Sequence, residues 1–230
     1  MNIPLSKRLL TCCSFIAQGD RVADVGCDHG YLGIYLLKNG IATSVIASDV
    51  KEMPLQSAKR NAMRFGVVEQ IRFYLSDGVK NIPHDFDALV CAGMGADTIV
   101  SILESADWLR DNQYRLILQC QSKIPMLRQY LSEQGWHIRR ETAVRDGRFL
   151  YTVMEVLWDP TQPKLSVGQR YFTPALLLEA TADASAYYHD VLLRLQRTVS
   201  SQKDLADPVL IAALKELESM ELPFTTTKEE

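Results

Sequence analysis

The chain has 230 residues, 47% of them hydrophobic, enough to bury a full core in one domain and still carry a small appendage. With 25 Lys+Arg against 28 Asp+Glu the charge is near balance, which argues against a generic polyanion-coating protein and leaves room only for a local basic face. The five cysteines are odd in number without a C-x-x-C pair, and the four histidines are scattered, so neither a disulfide framework nor a bound metal is expected and a reducing cytosol fits best.

Near the N-terminus, Lys7-Arg8 before Leu9-Leu10-Thr11-Cys12 imitates a lipoprotein signal, but its apolar run falls far short of the roughly 7–15 residues a secretory core needs. A short helix capped by Ser6, with Leu9, Leu10, Cys13, Ile16 and Ala17 inward, is the better reading. No apolar run reaches membrane-spanning length, so a cytoplasmic protein is expected.

Strands and helices then alternate. Arg21–Val25 reads as a first strand, 31–39 as a helix closed by Asn39-Gly40, and 44–48 as a β-branched second strand ending at Asp49. Residues 53–65 form a helix with Pro54 near its start and Gly66 past its end, and 70–75 a third strand leading into Ser76-Asp77-Gly78. A fourth strand, 86–92, runs into Gly93-Met94-Gly95 and a helix over 97–104. A fifth strand at 115–119 precedes a helix over 125–134, and strands at 136–144 and 149–157 face each other across Arg145-Asp146-Gly147-Arg148. This predicts an α/β fold, a doubly wound, Rossmann-like, mostly parallel sheet closed by an antiparallel last strand. Asp159–Pro163 is a polar linker that divides residues 1–160 from 161–230. Beyond it Leu177, Ala180, Ala184, Tyr188, Val191, Leu195 and Val199 step at helical spacing, and Leu210, Ala213, Leu214, Leu217 and Met220 do so again. Two antiparallel helices in a coiled-coil-like hairpin follow, with a polar, frayed tail from Pro223.

Between the first strand and its helix lies Asp24-Val25-Gly26-Cys27-Asp28-His29-Gly30, a strand–glycine turn–helix junction that brings backbone N–H groups up to a ligand. Its spacing is D-x-G-x-x-x-G, not the G-x-G-x-x-G of nicotinamide-binding folds. With Asp49 ending the second strand, the chain resembles class I S-adenosylmethionine-dependent methyltransferases. The resemblance implies S-adenosyl-L-methionine as cofactor, held around Asp24, Gly26, Asp28 and Gly30, with Asp49 and Val50 at the ribose, Asp77 and Gly78 at the adenine, and Ala92 and Gly93 beside the methyl group. Each residue also has a plainer reading: Asp49 and Asp77 as helix caps, Gly78 as a turn residue.

A narrower likeness rests on Leu5-Ser6-Lys7-Arg8-Leu9, the Asp24–Leu32 block, Ala92-Gly93-Met94-Gly95, Leu116-Ile117-Leu118-Gln119, and Leu127-Arg128 before Gly135-Trp136. In these the chain resembles the bacterial tRNA (adenine(22)-N1)-methyltransferases over residues 3–158. Two departures bear on nucleoside choice rather than cofactor use: Cys120-Gln121 where that family has Pro-Asn, and Gly147-Arg148-Phe149-Leu150-Tyr151. The resemblance implies direct attack by adenine N1, which already carries a lone pair at neutral pH. Asp28 and Tyr31 are candidates to stabilise the developing charge, Gly93 and Met94 to wall the pocket, and His29 to orient the base; Cys91 ends a buried strand and is a poor nucleophile.

A base inside a tRNA stem must be unstacked, and phosphate contacts must support it. Lys7, Arg8, Arg21, Arg139, Arg140, Arg145 and Arg148 form one candidate RNA rim, and Arg170, Arg194, Arg197 and Lys203 a second; solvated surface charge is the alternative for each. A monomer is favoured. Two rival functions stay open, an NAD(P)-dependent oxidoreductase and a non-catalytic RNA-binding protein with a degenerate methyltransferase fold.

Overall fold

The computed structural model describes residues 3–202, 205 and 207–223. Lys203 and the tail beyond Pro223 lie outside the described residues. In chain order the elements are α1 (Lys7–Cys13), β1 (Asp20–Val25), α2 (Tyr31–Lys38), β2 (Ala42–Asp49), α3 (Glu52–Phe65), β3 (Ile71–Leu75), β4 (Ala88–Gly95) and α4 (Ala96–Glu104). They continue with β5 (Arg115–Ser122), α5 (Ile124–Glu133), β6 (Trp136–Asp146), β7 (Phe149–Trp158), α6 (Pro174–Glu179), α7 (Ala182–Gln202) and α8 (Pro208–Glu218). The sheet order is β3-β2-β1-β4-β5-β7-β6. Strand β7 is antiparallel to both neighbours, β5 and β6, while the pairs from β3 through β5 are parallel. The Rossmann-like sheet read from the sequence is therefore present, and its order reverses between β1 and β4.

Alternation along the strands builds a core on each face. In β1, Ala23 and Val25 pack with Ile99, Leu103 and Leu127 of α4 and α5, whereas Val22 packs with Ile34, Leu36 and Ala58 of α2 and α3. Because both faces are covered, the central strands are apolar in their middles, with Leu89, Val90, Leu116, Ile117 and Leu118 fully buried.

Several boundaries differ from the sequence reading. Strand β4 does not stop at Ala92; it continues to Gly95 through register shifts around Gly93 and Met94, and β5 extends beside it to Ser122. Such an irregularity re-aims backbone at the rim of a sheet. Ser6 occupies the α1 N-cap with extended dihedrals, but its hydroxyl makes no capping bond. The helix ends at Cys13, buries Cys12 and Cys13, and leaves Leu10 exposed, because it lies across the sheet with a different face inward.

The C-terminal segment holds three described helices rather than two. Ala180 takes a left-handed conformation (φ 47°) that breaks the expected continuous helix. Thr173 caps α6, accepting from the Leu176 amide, with Pro174 at the first helical position, and Thr181 accepts from the Ala184 amide as the chain restarts. These helices pack onto the closing hairpin, where Phe172, Leu176, Ala184, Tyr187 and Leu217 cluster with Ala143 of β6. A fully buried ion pair pins the junction. Arg128 of α5 donates to Glu141 of β6 at 2.6 Å and to the carbonyls of Arg170 and Tyr171, while Thr173 donates to the other Glu141 oxygen. Among the described residues no helix is long and apolar enough to cross a membrane.

Candidate active site

The glycine turn after β1 sits at the strand-order reversal, on the carboxyl side of the sheet where open α/β folds bind ligands. The Gly26 and Cys27 amides both donate to the Ser48 carbonyl of β2, and the Gly30 amide to the Cys27 carbonyl. A side chain at Gly26 has no room: its Cβ would stand 2.5 Å from the Met94 methyl, at a φ of +71°. Gly30 caps α2 at the same φ, with its Cβ position 2.8 Å from that of Ala58. Between them Asp28, a non-glycine residue, is held at φ 49°, a strained conformation of the kind that persists where surrounding structure over-determines it.

Asp49 does that over-determining. One carboxylate oxygen accepts from the Asp28 amide at 3.3 Å and the other from the Lys51 amide at 2.9 Å. A carboxylate has about four acceptor sites, so two remain for hydroxyl donors. Asp24 is 5% exposed, and no donor among the described residues hydrogen-bonds its carboxyl. Burial, then the charges of Asp49 and Asp28, push its pKa up to about 7.

A cavity of about 310 Å³ opens here, bounded by Asp24, Gly26, Asp28 and Tyr31 on one side and Ala92, Gly93, Gln121 and Arg8 on the other. Asp49, Val50, Asp77, Gly78, Gly30 and Met94 do not line this cavity. Met94 instead aims its side chain at Gly26, and Asp77 lies at the end of β3, exposed and paired with Lys80. The turn after β3 is fixed by Ser76, whose hydroxyl donates to the Gly78 carbonyl and accepts from the Asn81 amide. His29 and Tyr31 stand beside the opening with ring centroids 5.9 Å apart. Cys91 is fully buried and its thiol is pushed up to about 12, leaving no thiolate for nucleophilic chemistry.

Two residues that the sequence reading placed elsewhere, or nowhere, organise the far wall. Arg8 reaches from α1 to the Gln119 side-chain oxygen at 3.0 Å and lies 3.7 Å from Asp146. The same Gln119 oxygen accepts from the Gly93 amide at 3.1 Å, and its amide nitrogen donates to the Cys120 carbonyl. Gln119 is fully buried, so it fixes the irregular end of β4 to that of β5.

Gln121 also lines a second, larger cleft of about 1220 Å³ between the β5–α5 loop, the β6–β7 hairpin and α7. Arg145, Arg148, Arg194 and Lys123 line it with Asp190 and the rings of Phe149, Tyr151, Tyr171 and Tyr187; Lys123 pairs with Asp97, Arg145 with Asp183 and Arg194 with Asp190. The basic residues therefore divide. Lys7 is exposed at the start of α1, next to Arg8, and Arg197 is exposed on α7. Arg21 pairs with Asp87, Arg139 with Glu155 and Arg170 with Glu133, and Arg140 lies over the Phe15 ring at 3.8 Å, all outside both cavities.

A parallel sheet with its glycine turn at the switch point, an acidic group at the end of β2 and an antiparallel β7 define a class I methyltransferase architecture. The methyltransferase-domain family model matches residues 5–154. The tRNA (adenine(22)-N1)-methyltransferase of Bacillus subtilis is 33% identical over 154 residues, 66% of this chain and 65% of that one. The crystal structure of the B. subtilis m1A22 tRNA methyltransferase superposes with a TM-score of 0.76 at 30% identity, covering 94% of this chain and 95% of that one. Streptococcus pneumoniae Sp1610 in complex with S-adenosyl-L-methionine superposes at 0.81 with 30% identity, covering 94% and 98%. The chain belongs to the family of bacterial tRNA (adenine(22)-N1)-methyltransferases.

Proposed function

We propose that this protein transfers a methyl group from S-adenosyl-L-methionine to N1 of adenine 22 in tRNA, the reaction carried in the name of its B. subtilis relative. The supporting observation is that one residue, Gln121, borders both cavities: the pocket with the buried, unpartnered carboxyl, and the larger cleft lined by arginines and aromatic rings. The residues present fit the cofactor. Asp24 offers a buried acceptor for an ammonium group, Asp49 keeps acceptor sites for ribose hydroxyls, and Asp77 and Gly78, in the turn after β3, would take the adenine edge. Val50, which follows Asp49 and is exposed, would flank the ribose. An oxidoreductase reading has no G-x-G-x-x-G turn to rest on, and a degenerate fold would not keep this set intact.

Bound adenosylmethionine supplies an electrophilic methyl on a sulfonium. The chain's own work is alignment and exclusion of water. Gly93 forms part of the wall opposite the glycine turn, Met94 packs against Gly26, and Tyr31 and His29 flank the entrance. The N1 lone pair forms the new bond while the carbon–sulfur bond breaks, so positive charge moves onto the base and no proton need leave beforehand. Asp28, at the entrance, stabilises that charge. Lys7, Arg8, Arg145, Arg148, Arg194 and Arg197 face the RNA, with residues 161–230 serving as a handle on the catalytic unit 1–160. The protein works as a cytoplasmic monomer.

The test is incorporation of labelled methyl from adenosylmethionine into unmodified tRNA, followed by nucleoside analysis and mapping. One equivalent of 1-methyladenosine at position 22 is expected; label in any other nucleoside, or none, refutes the reading.

A further inference from the structure

Gln121 follows two residues that are locked in place. Gln119 is anchored as described, and the Cys120 thiol donates to the Ser122 carbonyl. The backbone at 121 is thus rigid, yet the Gln121 side chain is exposed and makes no hydrogen bond among the described residues. Its amide nitrogen lies 3.7 Å from the Cβ position of Gly93, and the residue borders both cavities. A free carboxamide on a fixed backbone, at the only place both cavities share a residue among those described, is a recognition group without its ligand.

Resting on the methyl transfer proposed above, we infer that Gln121 is a specificity-determining residue that reads the N6/N7 edge of the target adenine. For N1 to be methylated, the Watson–Crick edge must enter the small pocket toward the glycine turn. The adjacent Hoogsteen edge then faces the pocket mouth, where Gln121 stands. Its side-chain oxygen accepts from the N6 amine and its nitrogen donates to N7, the bidentate pairing by which glutamine selects adenine. That pairing leaves the N1 lone pair unobstructed, and it rejects guanine, whose O6 presents an acceptor where the carboxamide oxygen needs a donor.

The experiment compares wild type, Q121A and Q121E on two transcripts of the same tRNA, one with adenosine and one with 7-deazaadenosine at the target nucleotide. Wild type should lose about 2- to 13-fold in kcat/KM on the 7-deaza transcript, which removes the N7 bond and keeps the N6 bond. Q121A, which removes both, should lose about 5- to 150-fold on the natural transcript and no more on the analogue. Q121E keeps the N6 acceptor but sets a carboxylate oxygen against the N7 lone pair, so it should lose nothing on the 7-deaza analogue and should gain on it relative to adenosine. Unchanged affinity for adenosylmethionine in all three establishes that the cofactor pocket is intact. Wild-type activity with Q121A within twofold of it, or equal sensitivity of Q121A and wild type to the 7-deaza substitution, overturns the assignment of Gln121 alone. A wild type that methylates no tRNA adenine overturns the functional reading and this assignment together.

Discussion

Asp24 works against the stability of the free protein, and the pH dependence follows with a definite sign. Its carboxyl is raised from an ordinary value of 3.8 to about 7 by burial and by Asp49 and Asp28. A shift of about three units corresponds to about 4 kcal/mol against the charged form in the folded state. Between about pH 4 and pH 7 the folded protein holds a proton that the unfolded chain has lost, so this contribution falls as pH rises and is flat above 7. Asp24→Asn removes the titration. The variant is therefore expected to exceed wild type by about 4 kcal/mol at pH 8 but only about 1.5 kcal/mol at pH 5. For a chain of this size that is a melting-temperature gain of roughly 10 °C at pH 8 and a few degrees at pH 5.

The same group ties cofactor binding to proton release. An ammonium ion beside Asp24 requires the carboxylate, which at pH 6 is about nine-tenths protonated in the free protein. Calorimetry of adenosylmethionine binding at pH 6, in two buffers of different ionisation enthalpy, should report about 0.9 proton released, and affinity should weaken about tenfold from pH 8 to pH 6. Asp24→Asn should bind more weakly at pH 8 with a flat profile. A stability gap equal at both pH values, or binding at pH 6 without proton release, refutes the reasoning.

Asp49→Ala should weaken adenosylmethionine binding about 10- to 100-fold in calorimetry, since it removes charge-assisted bonds to the ligand and releases the Asp28 and Lys51 amides. Asp77→Ala, at an exposed position, should cost less, tenfold or below; variants indistinguishable from wild type would dismiss the site. Arg128→Ala leaves Glu141 buried without its cation and should lower stability by about 3–5 kcal/mol in urea denaturation; a loss under 1 kcal/mol would show that the junction is held by apolar packing. Arg148→Ala and Arg194→Ala should weaken tRNA binding and each reduce the slope of log affinity against log salt by about one, with cofactor affinity unchanged; an unaltered slope would remove the cleft from the RNA interface.

What was legible in the sequence is local. The glycine turn, the strand-end positions of Asp49 and Asp77, and the alternation of strands and helices depend on spacings of a few residues, and each lies where it was expected. The Ala180 break was missed because the apolar pattern from Leu177 to Val199 runs straight through it and alanine favours helix. The signals that mattered were Thr173-Pro174 and Thr181, two N-caps bracketing a short helix. The bond from Arg8 to Gln119 was not legible, because the two lie 111 positions apart and only the folded sheet brings them together.

That long-range contact also ties the irregular end of β4 to the β6–β7 hairpin. The Gln119 oxygen is shared by the Gly93 amide, which borders the cofactor pocket, and by Arg8, which also pairs with Asp146 at the tip of β6 beside the large cleft. Two donors converging on one buried acceptor make its position depend on both. Gly93 at the irregular end of β4 and Asp146 of the β6–β7 hairpin are thus linked through the Gln119 oxygen and Arg8. Sequence spacing carries no trace of such a link, since its three members lie on α1, β5 and β6.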